Sequence, residues 1–214
     1  MYCICLRPLI DALATKTGPD CSQIFYADDG SAVGKLLALR TWWDELERLG
    51  PGYGYHPEPD KSWIVVKAEH LDDATAVFGD TRVNITTEGR RYLGAPLGTL
   101  QFQQQYVADL VQNWVSETEN ISKIAETEPH ACYSAFCVGL SKRWLFLLRT
   151  TPGIAHLLAP LEAAINSAFI PTILDNHYSS HHRDLFALPA RDGGLGILSP
   201  IQWPLHMMST ITLV

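Results

Sequence analysis

The residues of this 214-residue chain best suited to chemistry are concentrated in one short run, Phe25-Tyr26-Ala27-Asp28-Asp29-Gly30, where two adjacent carboxylates follow an aromatic and apolar stretch. Carboxylate oxygens are hard donors, and a pair of them held on a turn suits a hard cation such as Mg²⁺. The neighbouring residues supply such a turn. Phe25 and Tyr26 favour a strand, Ser31-Ala32-Val33 favour its return, and Asp-Gly between extended flanks signals a hairpin because Gly accepts positive φ. Solvated turn carboxylates are the plainer reading, and the hairpin alone does not separate the two. A small Mg²⁺-dependent hydrolase is a further use of the pair, and it needs another carboxylate within about 4 Å.

The elements that must position this hairpin read as α+β. An apolar helix covers residues 4–15, Gly18-Pro19-Asp20 breaks it, and the hairpin occupies about 23–33. Leu39, Trp42, Trp43, Leu46 and Leu49 recur at helical spacing, with Gly50 as the expected C′ residue, and the two tryptophans read as core rather than as a base-stacking platform. A loop dense in Gly and Pro leads to Lys61-Ser62 and a strand at Trp63–Lys67, followed by a helix near 70–78 and strand signals at Arg82–Thr86 and Tyr92–Leu93. No dinucleotide fingerprint occurs, and Gly30–Leu36 lacks the spacing and the Ser or Thr of a phosphate loop.

Beyond residue 100 the pattern becomes purely helical. Tyr106, Leu110, Trp114, Ile121 and Ile124 mark one helix. Tyr133, Phe136, Cys137, Leu140, Trp144 and Leu147 mark a second, opened by Pro129, and Leu157, Leu161, Ile165, Phe169 and Ile173 mark a third. The last forty residues are less regular. His177, His181 and His182 lack Cys or acid partners at ligand spacing and read as surface residues, and a helix is expected to start at Ser199-Pro200.

A net charge of −7 argues against a broad basic surface for nucleic acid but leaves room for a confined channel lined by a few Lys and Arg. Five irregularly spaced cysteines read as reduced thiols with no disulfide partner expected. No apolar run approaches the roughly 18 residues of a membrane span. The expected location is intracellular, nuclear or cytoplasmic. The opening residues already read as mid-helix, without a cap or polar first turn, so the sequence is expected to be a piece of a longer protein.

In order, Tyr26-Ala27-Asp28-Asp29, Lys61-Ser62, Arg91-Tyr92-Leu93-Gly94, the three helices, Leu188-Pro189 and Gly193-Gly194-Leu195-Gly196-Ile197 resemble a reverse transcriptase of the non-LTR, LINE-like retrotransposon type. The resemblance covers nearly the whole chain. It implies that residues 1–99 are the C-terminal part of a polymerase palm, a short antiparallel sheet with helices. Residues 100–174 would be a helical thumb and 175–214 a connector after it. It implies template-directed nucleotidyl transfer with Mg²⁺, an RNA template, a DNA primer and dNTP. Asp28 would be the metal ligand and Asp29 a neighbouring acid with a lesser metal role. Lys61 would protonate or stabilise the leaving pyrophosphate, or else be a solvated lysine. Tyr26, Arg91 and Tyr92 would meet nucleic acid near the primer end, with core packing the alternative for Tyr92. Lys142, Arg143 and Arg149 would hold duplex phosphates or remain ordinary solvated cations.

Two departures qualify this. Asn commonly stands three residues before the lysine in that family, and here the residue is Glu58. The family's further palm aspartate, fingers and Gln-Gly loop have no counterpart, since Asp11 lies in the opening helix and Asp20 beside the hairpin. The chain alone is therefore expected to be inactive as a polymerase. The alternative is a non-catalytic retroelement remnant, at most a protein- or nucleic-acid-binding module.

Overall fold

Leu6, Leu9 and Leu13 lie on one stripe and are fully buried, which is why the first helix, α1 (Tyr2–Thr17), can serve as a core wall. The structure is a computed structural model describing residues 2–175 and 179–202. It divides into two compact units, Met1–Arg90 and Arg91–Val214. Among the described residues no helix is long and apolar enough to cross a membrane.

In the first unit, strands β1 (Cys21–Tyr26) and β2 (Asp29–Gly34) form an antiparallel hairpin. Helix α2 (Leu36–Leu49) follows, and its Trp42, Trp43 and Leu46 pack with the α1 leucines, as the sequence periodicity requires. Gly50 is not a left-handed C′ residue. Its φ is −48°, the chain continues into a tight turn, and the positive φ falls on Gly54 at 75°.

Strand β3 (Trp63–Val65), helix α3 (Leu71–Phe78) and strand β4 (Asn84–Thr86) complete the unit. The expected short antiparallel sheet is present only in part, in the β1–β2 hairpin. β3 pairs with β4 in parallel, and the described strands make separate two-stranded sheets. Parallel pairing needs a crossover long enough to return the chain, and α3 provides it. The strands are also shorter than the apolar runs that announced them.

The chain enters the second unit along β5 (Gly89–Tyr92), whose partner is β6 (Ala95–Gly98). Helix α4 (Leu100–Ala125) is capped by Thr99, whose hydroxyl accepts the Phe102 N–H at 3.2 Å. β6 packs on α4, and Tyr106 donates its hydroxyl to the Gly94 carbonyl at 3.3 Å, so this segment belongs with the helices rather than with the hairpin.

Two further helical rods each contain a π-helical segment. α5 (Pro129–Ser134) passes through residues 135–140 into α6 (Ser141–Thr150), and α7 (Ala159–Ala164) passes through 165–169 into α8 (Ile170–Ile173). Cys132, Phe136, Leu140 and Trp144 are buried at strict four-residue steps, as are Leu161, Ile165 and Phe169. A four-residue step overshoots a 3.6-residue turn, and the wider i→i+5 turn takes back the overshoot, keeping each row on one face.

The segment expected to be a connector also enters this core. After α9 (Arg183–Ala187), Ile197 is fully buried among Trp144, Phe169 and their neighbours. His181 and His182 are exposed as expected, whereas His177 lies outside the described residues. Ser199 begins a turn in which its hydroxyl accepts the Gln202 N–H at 3.3 Å; the helix expected from there runs into residues outside the described ones.

Candidate catalytic hairpin and phosphate groove

The β1–β2 register places Tyr26 opposite Asp29 and Phe25 opposite Gly30, so the two-residue turn is Ala27-Asp28. This corrects the turn assignment made from Asp-Gly. The positive φ falls on Ala27, at 53°, not on Gly30. One positive φ at the first central position is the pattern of a II′ turn. For a residue with a Cβ it costs on the order of 1 kcal/mol, which neighbouring contacts must hold in place.

Those contacts are visible. Gly30 donates its N–H to the Tyr55 hydroxyl at 3.1 Å, and Phe25 meets the Tyr55 ring edge-on at 5.7 Å. A Cβ on Gly30 would stand 2.8 Å from both the Phe25 ring and the Tyr55 oxygen, so glycine is required here for close approach. Deeper along β1, the Gln23 amide donates to the Ile10 carbonyl and accepts from the Trp42 indole, each at 2.7 Å. At the base, Lys35 closes on Asp20 through its N–H at 3.0 Å and its ammonium at 2.9 Å. The hairpin is thus fixed along its length, and its tip exposes Asp28 and Asp29 to solvent, with Tyr26 66% exposed.

Exposed oxygen donors on a braced turn suit Mg²⁺ chemically, but two carboxylates satisfy only part of a shell of about six oxygens. Among the described residues no group of three or more His, Cys, Asp or Glu is placed to hold a metal ion. Lys61 ends a tight turn and pairs with Glu58 at 2.7 Å, both side chains well exposed. Among the described residues no hydrogen bond or ion pair joins Lys61 to Asp28 or Asp29. The Arg90 guanidinium, from β5, lies 4.2 Å over the ring of Trp63 on β3.

Within the second unit, residues from two separate stretches named from the sequence come together. Arg91, Lys142 and Arg143 line one open groove of about 660 Å³, with Tyr106, Asn113, Glu117 and Phe146 among the other walls. Arg91 comes from β5, and Lys142 and Arg143 sit on the first turn of α6. Gly94, at φ 88°, lets the backbone pass the Phe146 ring, which a Cβ would approach to 3.2 Å. Arg143 donates to the Glu117 carboxylate, whereas Arg91 and Lys142 have no acidic partner among the described residues. Tyr92 is half-buried on β5 and Arg149 is exposed on α6, and neither lines the groove.

Glu117 and Phe146 were not nominated from sequence. Their signal was positional: Glu117 lies four residues after Asn113 on α4, and Phe146 four after Lys142 on α6, so each shares a face with a groove residue. Nearby, burial pushes the Cys137 thiol above its usual range, outweighing its hydrogen bond with Tyr133 and the pull of Lys142. It therefore offers no thiolate nucleophile at neutral pH.

Compared with models of protein families, with curated proteins and with solved structures, the chain matches none.

Proposed function

We propose that this chain is the palm and thumb portion of a reverse transcriptase of the non-LTR type. The observation that carries the reading is the convergence of Arg91, Lys142 and Arg143 on one groove. The resemblance assigned Arg91, from the strand motif, and the Lys142-Arg143 pair, from the thumb helices, to nucleic acid by separate features. Cations along an open groove neutralise phosphates and fix a duplex without reading its sequence. A net charge of −7 argues against a broad basic surface and leaves room for attraction at such a groove.

In this reading Asp28 and Asp29 would hold Mg²⁺, which would stabilise the entering and leaving oxygens of nucleotidyl transfer. The hairpin's part is to keep both carboxylates rigid and solvent-facing. Lys61 would reach a leaving pyrophosphate by giving up Glu58, at little cost because exposed ion pairs are worth about 0–1 kcal/mol. The same Lys61–Glu58 pair favours a second reading, a remnant that binds but no longer polymerises.

Anisotropy with a labelled RNA–DNA duplex tests the groove. Arg91→Ala and Lys142→Ala should each weaken binding about fivefold and each reduce the salt slope by about one. Unchanged affinity in the double variant would sink the proposal. Mg²⁺-dependent primer extension by the 214-residue chain should be absent, because Asp28 and Asp29 complete only part of a two-metal site. Extension that appears and is lost in Asp28→Asn would overturn the expected inactivity.

A further inference from the structure

We infer that Glu117 is a built-in competitor for the phosphodiester backbone in this groove: it occupies Arg143 and lowers the affinity of the groove for duplex. The inference rests on the reading of the groove as a phosphate-binding surface and adds a residue that limits it.

The groove has three cations and they are not equivalent. Arg91 and Lys142 are exposed and have no acidic partner among the described residues. Arg143, one residue beyond Lys142, donates to Glu117 from the facing helix α4. Both members of that pair remain about half exposed, at 55% and 43%. Glu117 and Arg143 also line the adjoining stretch of surface, beside Asn120, Ile121 and Gly139, so the pair sits where the groove would otherwise continue.

A carboxylate and a phosphate present the same kind of acceptor to a guanidinium, two oxygens matched to its fork. An incoming phosphate must therefore displace Glu117 to reach Arg143. The displaced carboxylate then remains in the groove and repels the backbone. Because the pair is partly hydrated, displacement is feasible, and the acid sets the affinity rather than blocking binding. Arg143 then contributes less to duplex binding than Arg91 or Lys142, although the three line the same surface.

The test is duplex binding by the full chain at several salt concentrations, comparing wild type with Glu117→Gln. The amide preserves shape and a hydrogen bond to Arg143 while removing the charge. Glu119→Gln serves as control, since Glu119 is exposed on the same helix but does not line the groove. Glu117→Gln should bind about threefold to fivefold tighter, with a salt slope steeper by about one; Glu119→Gln should match wild type. In the Arg143→Ala background, Glu117→Gln should lose its steeper slope. If wild type binds and Glu117→Gln is no tighter, or if Glu119→Gln tightens binding equally, the competitor role is wrong. If neither wild type nor Glu117→Gln binds duplex at low salt, the phosphate-binding reading of the groove itself fails.

Discussion

Arg183→Ala is expected to cost the helical unit about 3–5 kcal/mol, because it strands a buried carboxylate. The Arg183 side chain is 10% exposed and the Glu162 side chain 13%. The guanidinium donates to Glu162 through Nε at 2.7 Å and Nη2 at 3.0 Å, and to the Ile197 carbonyl through Nη1 at 2.7 Å. Asn166 adds a further donor to Glu162 at 2.9 Å. Every arm of the arginine fork is committed, so truncation leaves the Glu162 charge uncompensated, with the neutral Asn166 amide still donating to it, and takes this donor from the Ile197 carbonyl.

Urea unfolding followed by far-UV circular dichroism would measure the loss as a lower midpoint for the second unit. A change below about 1 kcal/mol would show that water or rearrangement rescues Glu162, contrary to the buried geometry. The double variant Arg183→Met with Glu162→Leu should recover much of the loss, since replacing a buried pair with apolar residues of similar volume is often neutral. This clasp also explains how Ile197 is held in the core although most of the segment from Asp184 to Gly193 is exposed. It holds the Ile197 backbone, and Tyr133 donates its hydroxyl to the Leu195 carbonyl two residues earlier, so Ile197 stays in the core cluster.

How much of this was legible in the sequence depends on whether a signal is local. The helices were, because Leu39, Trp42, Trp43 and Leu46 repeat at a period that only a helix can bury on one side. For α4 the helix was legible but its buried face only in part, since Val107 and Val111 are buried beside Trp114 whereas Ile124 is 56% exposed. The π-helical segments were not legible there: the rows spaced by four pass for ordinary helix faces until the i→i+5 turns at 135–140 and 165–169 are seen. Nor was the turn. Local chemistry assigned the positive φ to Gly30, but Gly30 is needed beneath Phe25 and Tyr55, a constraint that arises from Tyr55, twenty-five positions away. The parallel pairing of β3 with β4 was invisible for a similar reason, since strand direction follows from how α3 returns the chain. Of the site residues, the cations could be named but not their inequality. That depends on which of them faces an acid on another helix, and Glu117 stands twenty-six residues from Arg143.

Phe136→Ala should have an effect comparable to Arg183→Ala, about 3–5 kcal/mol, by the different route of an unfilled cavity. Phe136 is fully buried, with its ring stacked on Phe169 at 4.0 Å and tilted against Trp144 at 5.5 Å. It therefore joins the two rods at their π-helical segments. Trp144 in turn touches Trp114 of α4 at 6.2 Å, so one aromatic chain links three walls of the unit. Phe136→Leu keeps an apolar side chain there and should cost less than the alanine variant, although it loses the stacking worth about 0.5–1.5 kcal/mol. The functional consequence follows from position. Phe136 precedes Lys142 and Arg143 by less than two helical turns on the same rod, so repacking at Phe136 shifts the spacing of those cations relative to α4. The alanine variant should therefore weaken duplex binding even at temperatures where it remains folded, whereas Phe136→Leu should bind as wild type does. Equal binding by wild type and a folded Phe136→Ala protein would mean that the groove does not depend on the packing of this core.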